Sequence, residues 1–588
     1  MKRYLCFIIL SGIVLHNLTC APSPKERGEA LRERIYVQTD KQLYLAGEPV
    51  LMKFLTTSTK QIPLAFSKVA YAELVSDSIA RVQIKAELID GKGTGRMLLP
   101  IDLPTGYYRL IAYTQFMRNE GVDIFFEKMI AVVNTFQSGY YPAETEPAEP
   151  VPADFSETGG KGLSVQAGKA TYPARARGEL ILNGLPENLF TMSVSIAGKN
   201  FIPDIESSVS LFRKNQTKQT TEFSGDFLPE FEGHIITGKT IENQARKTEA
   251  NEQKNTGEGL SEPEKENDDI ISFMNVAVLS FPSVEGIRFF AGQKSKTDEV
   301  RFVTSGISGT KEIATVMFNT GEESRIDILS PFVNRYAPKP MPALRLDSSC
   351  YRQLLERSVA LQVFRYFADE SSENQIIPEP HFKMKPTMSY LLDEYTRFTT
   401  MREVFIEFIT GARFRRRDGK QEIHVFTKRG IQYDYGTMPL VLLDGVPVSN
   451  HDAVYNYDPL AVEKINVYYG PCVLGGYRFD GIVELITYRR LHQDLILNRS
   501  SQIISYEGPQ LPYRKNYPDY SNDKNRQSLK PDSRHTLVWN PDIQTDGKTS
   551  IRLPFDTSDL TGEFQAIVEG ITKDGEIVFA TTFFKVEH

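Results

Sequence analysis

The sequence predicts a mostly β, multi-domain protein, and three observations carry that expectation. At 588 residues the chain is too long for one core, and roughly 150 residues per domain gives about four. Short runs of alternating apolar and polar residues, broken by Gly, Pro, Asn and Asp turn signals, recur along most of it. Hydrophobic residues make up 40% and charged residues 24%, the balance of soluble globular domains. The net charge of −7 opposes a nucleic-acid binder, which carries a basic patch or stripe.

The first residues read as an export signal over 1–21. Met1-Lys-Arg is basic, and Tyr4 to Leu15 is an apolar run too short to span a bilayer. Two processing routes stay open. Cys20 is a candidate lipidation residue, the first of a mature lipoprotein. In the preceding Asn17-Leu18-Thr19, Thr19 fits the usual Leu-small-small pattern and Asn17 does not. The other route is ordinary cleavage near Cys20 or Ala21, which Pro22 would hinder. No later segment reaches the ~18 apolar residues of a transmembrane helix. Past the signal, Cys350 and Cys472 accompany Cys20, too few for a disulfide framework or a Cys-rich zinc site. Pairing between Cys350 and Cys472 is left open.

From 34 to 134 the alternation is that of an immunoglobulin-type β-sandwich. Ile35-Tyr-Val-Gln-Thr, Val50-Leu-Met-Lys-Phe-Leu, Ser67 to Leu74, Ala80 to Leu88, Gly95 to Leu99 and Tyr107 to Thr114 read as strands. Gly47 and Gly106 read as turn glycines with positive φ. Gly91-Lys-Gly-Thr-Gly reads as a hairpin turn rather than a phosphate loop. Tyr36-Val-Gln-Thr-Asp-Lys-Gln-Leu-Tyr-Leu-Ala-Gly-Glu and Leu103-Pro-Thr-Gly-Tyr-Tyr-Arg-Leu-Ile-Ala-Tyr-Thr resemble the second macroglobulin-like domain of the alpha-2-macroglobulin superfamily, in the variant of Bacteroidetes envelope proteins.

Residues 137–162, rich in Pro, Glu and Gly, read as a linker. A second macroglobulin-like sandwich is expected over 163–230, where Lys169-Ala-Thr-Tyr-Pro repeats the pattern. Over 231–330 the strands resemble a carboxypeptidase-regulatory-like β-sandwich. A hairpin is expected there between Glu232–Ile241 and Met274–Pro282, interrupted by a disordered insertion over 242–269. The resemblance imports no peptidase, because the eight His form no HExxH or HxxE arrangement. Residues 345–398 read as a helical connector. Its Leu354, Leu355, Val359, Leu361, Val363, Phe364 and Phe367 recur at helical spacing and are expected to face the core.

Residues 399–490 carry the most specific pattern. Met401 to Gly411 reads as an amphipathic helix ended by Gly411 at its C′ position. Glu422-Ile-His-Val-Phe-Thr and the uniformly apolar Leu440 to Leu443 read as strands, the latter central. Asp444-Gly445 reads as a tight turn, and Ala461-Val-Glu-Lys-Ile as a helical turn presenting Val462 and Ile465. Ile482-Val-Glu-Leu-Ile-Thr ends the domain. Together these motifs resemble the plug domain of TonB-dependent outer-membrane receptors, a small α+β unit. The barrel of such a receptor needs about twenty-two strands of ~9–11 residues. Some one hundred residues follow Thr487, and over 500–588 they read as a C-terminal β-sandwich.

No nucleophile elbow, Walker-type loop or dinucleotide fingerprint is present, and the Cys-Gly-Glu-Gln thioester sequence of complement-like macroglobulins is absent. His451-Asp452 beside Asp444 reads as a polar loop, and Arg413 to Arg417 as a solvated loop. The sequence therefore implies a non-enzymatic exported binding or scaffolding protein of the periplasm or outer membrane. No catalytic residue, cofactor or metal is expected. Its expected partners are envelope or outer-membrane proteins, with membrane association through a lipid anchor or a partner. The alternative is an accessory component of TonB-dependent nutrient uptake, although no TonB box stands out in Pro22 to Arg34.

Overall fold

The computed structural model describes residues 32–137, 162–199, 208–218, 222–241, 276–282, 288–294, 298–318, 325–346, 350–367, 384–417, 419–426, 439–474, 477–489, 501–512 and 517–588. The signal, Cys20, nearly all of the linker and the 242–269 insertion lie outside them. Alternation in the first domain produces β1 (Glu33–Thr39), β2 (Leu43–Leu45), β3 (Pro49–Ser58), β4 (Val69–Ser76), β5 (Ile79–Ile89), β6 (Lys92–Leu98), β7 (Gly106–Tyr113) and β8 (Phe126–Val133). They form one eight-stranded sheet, ordered β1-β3-β6-β5-β4-β7-β8-β2, that folds over so that β1 packs on β7 and β8. Ile35, Val37, Met52 and Phe54 meet Tyr71, Leu74, Leu110 and Ala112 inside it. Asp90 and Gly91 take the positive φ that the β5–β6 turn demands, and Gly47 is at φ 90. Gly106 is not in the positive-φ region: it opens β7 in ordinary extended pairing with Val132.

The rest of the chain is nested. It runs through β9 (Ser164–Ala167), β10 (Thr171–Pro173), β11 (Arg177–Asn183) and β12 (Leu189–Gly198). It then enters β13 (Ile235–Ile241), β14 (Val276–Ser280), β15 (Phe289–Lys294), β16 (Glu299–Val303), β17 (Thr310–Phe318) and β18 (Arg325–Ile328). An α+β domain follows, with β19 (Met388–Leu391), β20 (Ala412–Arg417), β21 (Lys420–Val425), β22 (Leu440–Leu443), β23 (Val446–Pro447), β24 (Val462–Tyr468), β25 (Cys472–Leu474), β26 (Tyr477–Phe479) and β27 (Ile482–Thr487). The return path is β28 (Ser501–Glu507), then β29 (Thr536–Asn540), β30 (Ser550–Asp556), β31 (Gly562–Thr572) and β32 (Ile577–Glu587).

Pairing closes these layers from the outside inward. β12 lies between β29 and β31, and β11 between β9 and β30, so 163–198 and 536–587 build a single sandwich. This corrects the expectation of separate sandwiches over 163–230 and 500–588. Neither half covers its own apolar face: Leu180, Leu182, Met192 and Val194 are buried by Leu537, Phe555, Phe564 and Phe584. Within 163–230 the chain also forms a helix, Ser208–Thr217, whose Leu211 and Phe212 bury in the first sandwich instead.

The expected hairpin after residue 231 is likewise replaced. β13 pairs with β16 and β18, whereas β14 pairs with β15 and β17. β28 then pairs along β17 from Thr310↔Glu507 to Val316↔Ser501, completing a seven-stranded sheet from beyond the inserted domain. The helix Tyr351–Phe367 docks on the first sandwich through Arg357, Ser358, Ala360 and Leu361. Leu355, Val359 and Phe367, expected in the core, are exposed, because Leu361 and Leu354 already fill the facing surface.

In the inserted domain the sheet order is β19-β24-β27-β22-β23. β22 is buried on both faces, which explains its unbroken apolar run. Val441 and Leu443 point to the domain's own core with Val462 and Ile465, while Leu440 and Leu442 share a cluster with Val278 and Phe289 of the seven-stranded sheet. Val462 and Ile465 belong to a strand rather than a helical turn; the short helix is Pro459–Ala461. A register shift between Val462 and Lys464 brings residues three apart onto one face. The helix at Met401 ends at Glu407, before Gly411. Gly411 serves close approach, since a Cβ there would lie 2.5 Å from the Tyr469 ring.

Candidate functional site

Of the residues singled out in the sequence, Arg413 to Arg417, His451 and Asp452 meet in one lobe of the inserted domain, made of the helix Met401–Glu407, the β20–β21 hairpin and the helix His451–Tyr455, whereas Asp444 lies outside it. Arg413 to Arg417 form a strand and not a loop. Ala412 and Phe414 anchor it: Ala412 is in the domain core, and Phe414 packs tilted against Phe405 at 4.6 Å and edges Tyr455 at 5.1 Å. Period-two alternation then sends Arg413, Arg415 and Arg417 to the other face, opposite His424, Glu422 and Lys420. The Arg413 and Arg415 guanidiniums lie 4.2 and 5.2 Å from the Phe426 ring, whose quadrupole favours a cation. Among the described residues of the hairpin, that face thus carries Arg413, Arg415, Arg417 and Lys420 together with the carboxylate of Glu422.

His451 and Asp452 hold the hairpin in place. The Ile423 amide donates to His451 Nδ1 at 3.1 Å, and the Gln421 amide donates to Asp452 Oδ1 at 2.8 Å. Burial, with His424 nearby, pushes the His451 imidazole down to about 4, so it is neutral at physiological pH and its Nδ1 is occupied as an acceptor. Asp444 is turned elsewhere, towards Thr487. The three side chains therefore do not converge as an acid–base set. An open groove of about 730 Å³ runs beside the lobe, lined by Arg402, Glu403, Ile406, Glu407, Tyr455 and Tyr457. Ile406 stands 64% exposed at its edge, a residue the helical reading had assigned no role.

Cys350 and Cys472 are buried in different clusters, one beside Leu43 and Leu361, the other beside Leu440 and Phe479, and they do not pair. Among the described residues no group of three or more His, Cys, Asp or Glu side chains could hold a metal ion. None of the helices there is long and apolar enough to cross a membrane.

No family model matches the chain, and no curated protein matches it. Solved structures similar to it include a Salmonella alpha-2-macroglobulin variant, at 11% identity over 94% of this chain and 39% of that one, with a TM-score of 0.22. Escherichia coli alpha-2-macroglobulin activated by porcine elastase gives 9% identity, 94% and 44% coverage and a TM-score of 0.23. The E. coli adhesin FdeC gives 9%, 49%, 60% and 0.15. The chain thus spans about two-fifths of the alpha-2-macroglobulins it overlays. These TM-scores are low, and the fold rests on its own strand pairings.

Proposed function

We propose that this chain is a non-enzymatic, exported binding or scaffolding protein of the bacterial cell envelope, whose nested sandwiches display the inserted domain to a partner. The observation that carries the reading is the fate of the polar residues in the lobe. His451 and Asp452, the side chains best suited to acid–base work, are spent on backbone amides of the hairpin. Their effect is to fix a rigid strand that presents arginines outward. A planar guanidinium on a fixed strand suits recognition of carboxylate or phosphate groups. The partner is accordingly a protein of the envelope or outer membrane that offers an acidic surface. The likeness of residues 399–490 to a receptor plug supports placement at the outer membrane. Cys20, if lipidated, supplies the anchor.

The test is affinity capture from native envelopes with mass spectrometry, comparing the wild type with Arg413→Ser/Arg415→Ser/Arg417→Ser. The reading expects a defined set of envelope proteins lost from the variant at unchanged thermal stability. Recovery of a TonB-coupled barrel protein would favour the uptake-accessory alternative. Full-length, unprocessed protein confined to the cytoplasm, or an identical capture set from both proteins, would overturn the proposal.

A further inference from the structure

The first sandwich and the split sandwich meet along a polar seam with its own period. Thr191, Ser193 and Ser195 are alternate residues of β12 and share one face. Each reaches a different partner on the first sandwich: Thr191 Oγ1 accepts from Lys53 Nζ at 2.7 Å, Ser193 donates to Gln38 Oε1, and Ser195 donates to the Asp40 carbonyl. Tyr36 adds a hydrogen bond to Glu569 across the same line. All of these residues are buried.

Lys53 is the unusual member. Its ammonium makes no salt bridge among the described residues: Thr191 stands between it and Asp542, donating to Asp542 Oδ1 at 2.7 Å. The other carboxylate oxygen of Asp542 is taken by Lys92 at 3.0 Å. The cavity that Lys53 helps to line is walled by Tyr36 and Gln38 from β1, Leu55 from its own strand and Phe212 from the helix Ser208–Thr217. Glu569 and Ile571 face it from β31, and Ile577 from β32. The titratable or charged ones among these neighbours are Tyr36, Lys92, Asp542 and Glu569, and Lys92 repels a charge on Lys53. That cavity is only about 20 Å³, room for about one water and no hydration shell.

We propose that this seam is a proton-sensitive joint: the two sandwiches close fully when the Lys53 amine has shed its proton, and part when it takes one up. Burial pushes the amine down to about 7, against the partial restoring pull of Asp542 and Glu569. The sign follows from linkage. With the seam parted, the amine regains its ordinary value of 10.5, so the parted form binds the proton more tightly. Closure is therefore unpenalised above pH 10.5, weakens by about tenfold in the closed-to-parted ratio per pH unit down to about pH 7, and is flat below.

Hydroxyl-radical footprinting of the full chain tests this, reading oxidation of Tyr36, Phe212 and Ile577 at the seam against Tyr71 inside the first sandwich. The wild type should show seam oxidation falling by at least tenfold from pH 6.5 to 9.5, with Tyr71 unchanged. Lys53→Met, which carries no charge, should be protected at both pH values. Lys53→Arg, which keeps its charge, should be oxidised at both. If Lys53→Arg does not fold, the contrast in slope between wild type and Lys53→Met decides. A wild type without pH dependence, or a Lys53→Met protein with the wild-type slope, overturns the proposal.

Discussion

Thr487 gives both of its donors to one carboxylate: its amide lies 2.8 Å from Asp444 Oδ1 and its hydroxyl 2.6 Å from Asp444 Oδ2. The two residues are buried, and they tie the β22–β23 turn to the end of β27. Asp444 also sits at φ 48, followed by Gly445 at φ 83, the conformation of a type I′ turn. Were Asp444 a turn residue alone, its replacement would cost only the ~1–2 kcal/mol of placing alanine in the left-handed region. Its side chain does more than shape a turn.

Asp444→Ala should therefore cost ~2–4 kcal/mol, since two buried donors lose their acceptor and alanine is poor in the left-handed region. Asp444→Asn, which keeps an acceptor and tolerates positive φ, should cost less than half as much. Urea midpoints of the two variants check the order.

Leu442→Ala should cost ~2–5 kcal/mol, the range for a buried leucine. Because Leu440 and Leu442 share a cluster with Val278 and Phe289, the loss should extend beyond the inserted domain. Hydrogen exchange should show β14 and β15 deprotected along with β22. A loss confined to 388–487 would mean that the two sheets are independent.

Arg357 binds Glu48 through two contacts, Nε to Oε1 at 3.0 Å and Nη2 to Oε2 at 2.7 Å, and so pins the helix Tyr351–Phe367 to the first sandwich. Burial alone would raise the Glu48 carboxyl, but Arg357 and Lys41 outweigh it and hold it well below the usual range. Arg357→Ala should destabilise by ~3–5 kcal/mol, because the buried Glu48 carboxylate loses its two-point partner and is left with the Lys41 ion pair at 3.1 Å. Arg357→Met/Glu48→Gln together should recover much of that, as a double-mutant cycle would register.

His451 sets a pH dependence. Its folded value of about 4 lies below the unfolded 6.5, so its contribution is fully present above pH 6.5 and is lost as pH falls towards 4. The loss amounts to about 3 kcal/mol at 1.36 kcal/mol per unit. His451→Gln should be less stable at pH 7 and should lack this part of the slope. A ring-proton titration near 6.5 in the native protein would refute the assignment.

Local structure was legible where one face of an element decides it. The alternation in β1, β3, β4 and β7, the Asp444-Gly445 turn and the doubly buried β22 all followed from side-chain period and turn chemistry. Partner choice between distant strands was not. β11 and β12 carry the same alternation whether β29 to β32 complete their sandwich or some nearer segment does, and β17 gives no local sign that β28 will pair with it across the inserted domain. In the lobe, Arg413 to Arg417 read as a loop because charge masked the strand. Only Ala412, Phe414 and the paired Ile423 and Val425 gave the period away. Exposed Leu355 and Val359 had the same helical spacing as buried Leu361, and spacing alone does not say which side of a helix meets the core.

The nested frame is the claim on which the functional reading stands, and hydrogen exchange on a chain ending at His535 tests it most directly. Removing β29 to β32 strips β12 of both its neighbours and β11 of one. The account predicts that amides of Leu180, Leu182, Val194 and Ile196 lose at least two orders of magnitude of protection, while β3 to β7 of the first sandwich keep theirs. Native-like protection of β11 and β12 without residues 536–588 would contradict the split sandwich.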